Sequence, residues 1–167
     1  EGTDANKVAQ QIYDYFTQKI GTSGAFAVGL LSNVREESHF DPQISQGGGH
    51  FGKHDKEPDS GGPGGGLYQF TPYSKYTGSK QFEKSGWEVE PQSEFVWDSE
   101  FRSGAVQAYM PLVPARTGGD RMGFPKMVNR SGNGKVKLDK NAWLTTSDPI
   151  EASATFQLSY ERPGQYH

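Results

Sequence analysis

The 167-residue sequence contains no cysteine, so neither disulfides nor thiolate metal sites can stabilise its fold. It also lacks a strong charge excess. The net charge is -3, and the lysines and arginines are scattered rather than gathered into the basic stripe of a nucleic-acid surface. No run approaches the roughly 18 apolar residues of a membrane-spanning helix. We therefore expect no nucleic-acid partner and no membrane span.

Glycine and aromatic residues are abundant: the chain has 22 Gly, 10 Phe, 8 Tyr and 3 Trp. The mean hydropathy of -0.78 indicates much polar loop around a compact aromatic core. A chain of this length can bury about 70% of its unfolded surface in one core, so we expect residues 1–167 to form a single domain. Because it opens on Glu1 rather than Met, we interpret it as a module excised from a longer multidomain protein.

Apolar periodicity predicts a first helix that begins at Thr3 or Asp4 and stops at Gly21. Its apolar stripe comprises Val8, Ala9, Ile12, Tyr13, Phe16 and Ile20. A second helix is predicted from about residue 25 to about residue 39, with Ser23 as its N-cap. The candidate functional residue lies on this second helix.

Further helices are predicted around residues 73–82 and 92–109, and a last one begins at the Asp148-Pro149 pair. Residues 45–66 form a long glycine-rich segment, which we interpret as a flap over a site or a distorted β-hairpin. Residues 117–140 are expected to form a loop or short hairpin. The fold class is therefore α+β and predominantly α.

Glu37 is an acidic residue on the apolar face of the second helix. At 100° per residue, with Leu30 at zero, Glu37 falls at about -20°, inside the arc of buried residues. Glu36 falls at about -120° and Arg35 at about +140°, both toward solvent. A desolvated carboxyl keeps its proton more readily, as a general acid requires. The alternative is that the helix frays at Glu37 and the side chain turns into solvent.

Three motifs resemble those of phage tail lysozymes. Residues 29–42, GLLSNVREESHFDP, resemble the G-x-x-x-N-x-x-x-E-S-x-F-x-P signature, whose E-S-x-F-x-P core is shared by lytic transglycosylases. Residues 66–72, GLYQFTP, resemble the G-L-x-Q-W-T segment of the same family, although Phe70 replaces the tryptophan. Residues 154–163, ATFQLSYERP, are similar to the F-x-x-x-Y-E-R-P ending.

The resemblance implies a lysozyme-like fold that cleaves the β-1,4 bond between N-acetylmuramic acid and N-acetylglucosamine in bacterial peptidoglycan. It implies that Glu37 is the general acid and that Gln69 lies in the substrate cleft. The other residues expected at the substrate site are Ser38, Tyr68, Phe70, Thr71, Tyr160 and Glu161. For Tyr160 and Glu161 a purely structural role at the end of the last helix remains the stronger alternative.

Glycoside hydrolysis normally uses a second carboxylate. Asp55, Glu57 and Asp59, in the glycine-rich segment, are the candidates, and each could equally be a solvated loop charge. If none contributes, Glu37 could act as acid and then base while a 1,6-anhydro ring closes, as in lytic transglycosylases. A non-catalytic glycan-binding or structural module of a tail tip or secretion apparatus is the alternative from another class.

His39, His50 and His54 are weak metal-site candidates because they lie in or beside a glycine-rich loop, so we expect neither a metal nor another cofactor. The sequence pI of about 5.8 favours a domain that its carrier delivers to the wall. We therefore expect an extracellular, cell-surface or virion-tail location, with further domains of the same chain as a tether.

Overall fold

A computed structural model describes residues 2–101, 110–111, 128–130, 135–138 and 140–156, with side chains for 4–101 and 140–156. The helices of this part of the chain are α1 (Gly2–Asp14) with a π-helical continuation (Tyr15–Ile20), α2 (Gly24–Ser38), α3 (Ser74–Thr77), α4 (Lys80–Ser85), α5 (Val89–Phe95) with a π-helical continuation (Val96–Phe101), α6 (Lys140–Leu144) and α7 (Pro149–Phe156). The strands are β1 (Met110–Pro111), β2 (Val128–Arg130) and β3 (Lys135–Leu138). The fold is therefore predominantly helical, as predicted. None of the described helices is long and apolar enough to cross a membrane.

The ends of the main helices confirm the sequence signals. Gly21, with φ of 86°, ends the first helix in the left-handed conformation. The Ser23 hydroxyl accepts a hydrogen bond from the Phe26 amide at 3.1 Å and caps α2. The Asp148 carboxylate accepts from the Ile150 amide at 3.0 Å and so caps α7.

The middle of the chain differs from the prediction. The single helix predicted around residues 73–82 is wrong: α3 ends at Gly78, and the Ser79 hydroxyl caps a separate helix α4 through the Phe82 amide at 3.2 Å. The helix predicted at 92–109 begins earlier, at Val89, and is described as far as Phe101; the rest of that range lies outside the described residues. The short helix α6 was not predicted.

Within residues 117–140, where a loop or short hairpin is expected, β2 and β3 pair antiparallel with Val128 opposite Leu138 and Arg130 opposite Val136. The two residues of β1 pair with the other edge of β3, giving the order β1-β3-β2.

Two aromatic clusters form much of the core. The helical cluster joins α2 to α6, α7 and both π-helical continuations, and comprises Phe16, Phe26, Phe101, Trp143 and Phe156. The loop-side cluster joins the glycine-rich segment to the short helices, and comprises Phe51, Phe70, Tyr76, Phe82, Trp87 and Phe95. Each edge-to-face or offset ring pair adds about 0.5–1.5 kcal/mol beyond its buried area. The glycine-rich segment is thus anchored by its own Phe51, and the turn that follows it is anchored by Phe70.

Candidate active site

Helix α2 is held in place by a close crossing with α7. A Cβ atom added to Gly29 would lie 2.7 Å from the Ala152 Cβ and 2.7 Å from the Pro149 carbonyl oxygen, so only glycine permits this approach. One turn later, the side-chain Nδ2 of the buried Asn33 donates to the Gly29 carbonyl at 3.0 Å and to the Ser153 carbonyl at 3.2 Å. The glycine and asparagine of the 29–42 motif therefore fix α2 against α7, a structural role that sequence reasoning missed.

Glu37 lies in the last turn of α2 and is half-buried. Its neighbours Arg35 and Glu36 are exposed, as the helical wheel predicts for them. The helix continues through Ser38, and the His39 amide bonds to the Arg35 carbonyl at 2.9 Å. The helix therefore does not fray before Glu37. No hydrogen bond or ion pair joins the Glu37 carboxyl to another residue of the described part of the chain.

Ser38, expected at the substrate site, is fully buried in the structure. Its hydroxyl donates to the Val34 carbonyl at 2.9 Å, one turn back in the same helix. With no exposed surface and its donor used within α2, Ser38 supports the helix end and is not placed to contact a sugar.

The chain reverses direction immediately after Ser38. His39 and Phe40 both adopt left-handed conformations, with φ of 51° and 62°, which cost roughly 1–2 kcal/mol per residue for side chains other than glycine. The Asp41 amide returns to the Ser38 carbonyl at 3.0 Å, and the Asp41 Oδ2 lies 2.7 Å from the His50 Nε2. These contacts tie the end of α2 to the glycine-rich segment.

Asp59, one of the three candidates for the second acid, is used by the loop itself. Its Oδ1 accepts from the His50 amide at 2.8 Å, and its own amide donates to the His50 carbonyl at 2.8 Å. The hydrogen bond from the His50 backbone holds the pKa of Asp59 below its ordinary value. Asp59 is therefore a carboxylate that fastens two parts of the segment together.

Glu57 and Asp55 are both exposed, and their surroundings differ. The Tyr73 hydroxyl donates to the Glu57 Oε2 at 2.6 Å, and this bond raises the pKa of Tyr73. The Asp55 carbonyl accepts from the Trp87 indole at 2.9 Å, so its backbone is anchored on the loop-side cluster. Of the three acids, Glu57 is the one whose carboxylate is oriented by a neighbouring side chain from beyond the segment.

The glycine-rich segment is a series of turns joined by isolated antiparallel bridges, and its interpretation as a flap over a site or a distorted β-hairpin stays a prediction. Its isolated antiparallel bridges are Ile44–His50, Ser45–Gly65, Phe51–Pro58 and Gly65–Phe70. Four of its glycines have positive φ: Gly47, Gly48, Gly61 and Gly66. Backbone hydrogen bonds and left-handed glycines thus supplement the limited apolar packing that Phe51 gives the segment.

Gln69 sits in a left-handed conformation, with φ of 48°, in the turn that closes this segment. Its amide Nε2 donates to the Gly66 carbonyl at 2.9 Å, and the exposed Thr71 donates its hydroxyl to the Gln69 carbonyl at 2.9 Å. The side chain is half-buried. A strained residue that its own turn stabilises in this way is a feature of functional sites.

Tyr68 and Phe70, on either side of Gln69, are 1% and 0% exposed. The Tyr68 hydroxyl is 2.7 Å from the Ser93 Oγ, and burial raises the pKa of Tyr68. Phe70 stacks on Tyr76 with ring centroids 5.1 Å apart. The expectation that both rings contact substrate is corrected, because they form the core beneath the turn and expose almost no surface.

Tyr160 and Glu161 lie outside the described residues, so the structure does not place them. The three histidines considered as metal ligands do not come together: within the part of the chain with described side chains, no three His, Asp or Glu residues form a metal-binding group.

A pocket of about 590 Å³ lies elsewhere on the surface, between the first helix, the chain at Pro42 and the start of α5. Two ion pairs lie among its lining residues, Lys19 with Glu90 and Lys53 with Glu88. None of the residues predicted to be functional lines it. The pocket therefore does not coincide with the candidate site at Glu37.

The family model for phage tail lysozyme matches residues 7–167, nearly the whole chain. No curated protein matches the sequence. The order of the three motifs and the mostly helical architecture agree with a lysozyme-like fold. The chain therefore belongs to the phage tail lysozyme family, which indicates a peptidoglycan-degrading, lysozyme-like enzyme of the virion or the extracellular space.

Proposed function

We propose that this domain hydrolyses the glycan strand of peptidoglycan between N-acetylmuramic acid and N-acetylglucosamine, with Glu37 as the general acid. The observation that carries the proposal is the half-buried carboxyl in the last turn of α2, which has no partner in the described part of the chain. A carboxyl that the described part of the fold does not use, on a helix fixed by two motif residues, is available to a substrate. Family membership supplies that substrate.

In the proposed reaction, Glu37 donates its proton to the glycosidic oxygen as the bond to the leaving sugar breaks. A second carboxylate on the opposite face then acts as base toward water or as nucleophile toward the sugar. We propose Glu57 for this role, in preference to Asp55 and Asp59. Tyr73 orients the Glu57 carboxylate, whereas the Asp59 carboxylate is occupied by the His50 amide.

The proposed role of Glu37 is tested by a matched pair of variants, Glu37→Gln and Glu36→Gln. Both remove one carboxyl from adjacent residues of α2, but only Glu37 is half-buried. We expect Glu37→Gln to slow the clearing of a cell-wall suspension by about 10²–10⁴-fold, the usual contribution of general acid catalysis. Glu36→Gln should stay within about twofold of wild type, as a surface substitution. A folded Glu37→Gln variant that clears walls at the wild-type rate would overturn the assignment.

The second carboxylate is tested separately, because lytic transglycosylase chemistry needs Glu37 alone. Glu57→Gln should lower hydrolysis by about 10²-fold if Glu57 assists the reaction. Asp55→Asn, on the same exposed stretch, is the control. Full activity of Glu57→Gln, together with products that end in 1,6-anhydro-N-acetylmuramic acid, would show that the reaction is transglycosylation and not hydrolysis. Saturable binding of chito-oligosaccharides without any product would instead identify a binding module.

We further propose that the domain works while tethered to a larger assembly. The acidic pI of about 5.8 gives no attraction to an anionic wall, so effective concentration would come from a carrier. Fusing the domain to a cell-wall-binding module should then raise its clearing rate at low concentration, and an unchanged rate would argue against the tether.

A further inference from the structure

Gln92 is a fully buried polar side chain on α5 that the proposed reaction does not use. Its Oε1 accepts a hydrogen bond from the Leu67 amide at 2.8 Å. Its Nε2 donates to the Pro42 carbonyl at 3.0 Å and to the Trp87 carbonyl at 3.0 Å. The acceptor and the donor nitrogen of the amide are therefore both engaged, and all three partners are backbone groups. Directional bonds of this kind fix the positions of the segments that they join.

Two of these bonds reach the segments on either side of the proposed site. Pro42 follows the turn that the Asp41 amide closes onto the Ser38 carbonyl, and Leu67 lies in the turn that the Gln69 amide closes onto the Gly66 carbonyl. The two contacts lie 50 and 25 residues from Gln92 along the chain. The Gln92 side chain thus bridges the chain leaving α2 and the turn of Gln69, alongside the direct bond between the Gly66 amide and the Ile44 carbonyl.

Gly66 leaves room for this connection. With φ of 81°, it occupies a conformation that favours glycine, and its amide donates to the Ile44 carbonyl at 2.8 Å. A Cβ atom at this position would lie 2.4 Å from the Gln92 Oε1 and 2.8 Å from the Trp87 ring. The glycine of the 66–72 motif is therefore required by the approach of the Gln92 amide as well as by its own backbone conformation.

We propose that Gln92 is a positioning residue, which holds the turn of Gln69 in register with the end of α2 so that Gln69 and Glu37 address the same substrate. The inference rests on the proposed function, but the placement of the turn can be measured without it. Apolar packing alone would bury this region without fixing the register, because such packing has no direction.

Hydrogen exchange of the wild-type protein tests the placement independently of activity. We expect the Leu67 amide to exchange as slowly as the buried amides of α2, because all of these amides should exchange only when the whole domain unfolds. Exchange of Leu67 that is about 100-fold faster than that of the α2 core would overturn the proposal, whatever the enzyme does.

The effect on catalysis is tested with Gln92→Met, which keeps the volume and removes all three hydrogen bonds. The control is Val96→Ala, which loosens packing at a fully buried apolar residue next to α5 and removes no side-chain hydrogen bond. At a temperature at which both variants are folded, we expect kcat of Gln92→Met on a soluble glycan to fall by about tenfold or more, because small misplacements of a site are costly. Val96→Ala should stay within about twofold of wild type.

A kcat of folded Gln92→Met within about twofold of wild type would overturn the positioning role, and so would an equal loss in Val96→Ala. If Gln92→Met does not fold, the wild-type exchange measurement decides the placement by itself. If wild type cleaves no glycan, the proposed function fails and the exchange result alone decides the placement.

Discussion

Helix α2, which carries Glu37, and the glycine-rich segment that follows it are held by different interactions. Helix α2 is fixed by apolar rings, by the close approach at Gly29 and by the Asn33 amide. The glycine-rich segment has few apolar residues and is held by backbone bridges, by Asp59 and by the buried amide of Gln92. The helix therefore depends on shape complementarity, whereas the segment depends on hydrogen bonds that must all be satisfied. Each side should respond to a different kind of substitution.

The largest effect is expected from Gly66→Ala in the glycine-rich segment. The added methyl group would meet the Gln92 Oε1 and the Trp87 ring, in addition to the cost of a left-handed alanine. We expect a loss of about 3 kcal/mol in the free energy of unfolding, measured by urea denaturation. Gly47→Ala is the control, because Gly47 also has a positive φ but open space around it. It should lose about 1 kcal/mol, and equal losses would contradict the role of the buried amide.

A smaller effect is expected from Gly29→Ala in α2. The methyl group would lie within 3 Å of Ala152 and of the α7 backbone, which should cost more than the gain in helix propensity. We expect a net loss of about 2 kcal/mol, read from the shift in Tm. Val28→Ala, at the exposed neighbouring position, should change stability by less than about 0.5 kcal/mol. A stabilising Gly29→Ala would show that α2 and α7 can move apart at no cost.

The smallest effect is expected from Asp59→Asn, and it depends on pH. The folded pKa of Asp59 is lowered by the His50 amide, so its carboxylate contributes stability above an unfolded pKa of about 3.9. That contribution is lost as the pH falls through the lower, folded pKa. Asp59→Asn should therefore reduce Tm slightly at pH 6, and the difference from wild type should shrink at pH 3. The same difference at both pH values would contradict the assignment.

The local parts of this comparison could be predicted from the sequence. Gly21, Ser23 and Asp148 mark helix ends through their own backbone or side-chain chemistry, and helical periodicity separates Glu36 from Glu37. The end of α3 at Gly78 was missed although Gly78 and Ser79 offered the same glycine and N-cap signals that mark the other helix ends.

The non-local parts could not be predicted. The contacts of Gln92 join residues 25 and 50 positions away, and no periodic pattern identifies them. Tyr68 and Phe70 were expected to contact substrate because they flank Gln69. Their burial depends on rings from α3 and α5, which only the folded chain brings beneath the turn. The Tyr73–Glu57 bond, which distinguishes among the loop acids, also appears only in the fold.

The central claim, that this domain cuts glycan strands with Glu37, is tested most directly by mass spectrometry of the fragments released from purified peptidoglycan. Wild type should release soluble muropeptides that end in reducing N-acetylmuramic acid, and folded Glu37→Gln should release none above background. Intact peptidoglycan after digestion with wild type, or fragments cut only within the peptide stems, would contradict the claim.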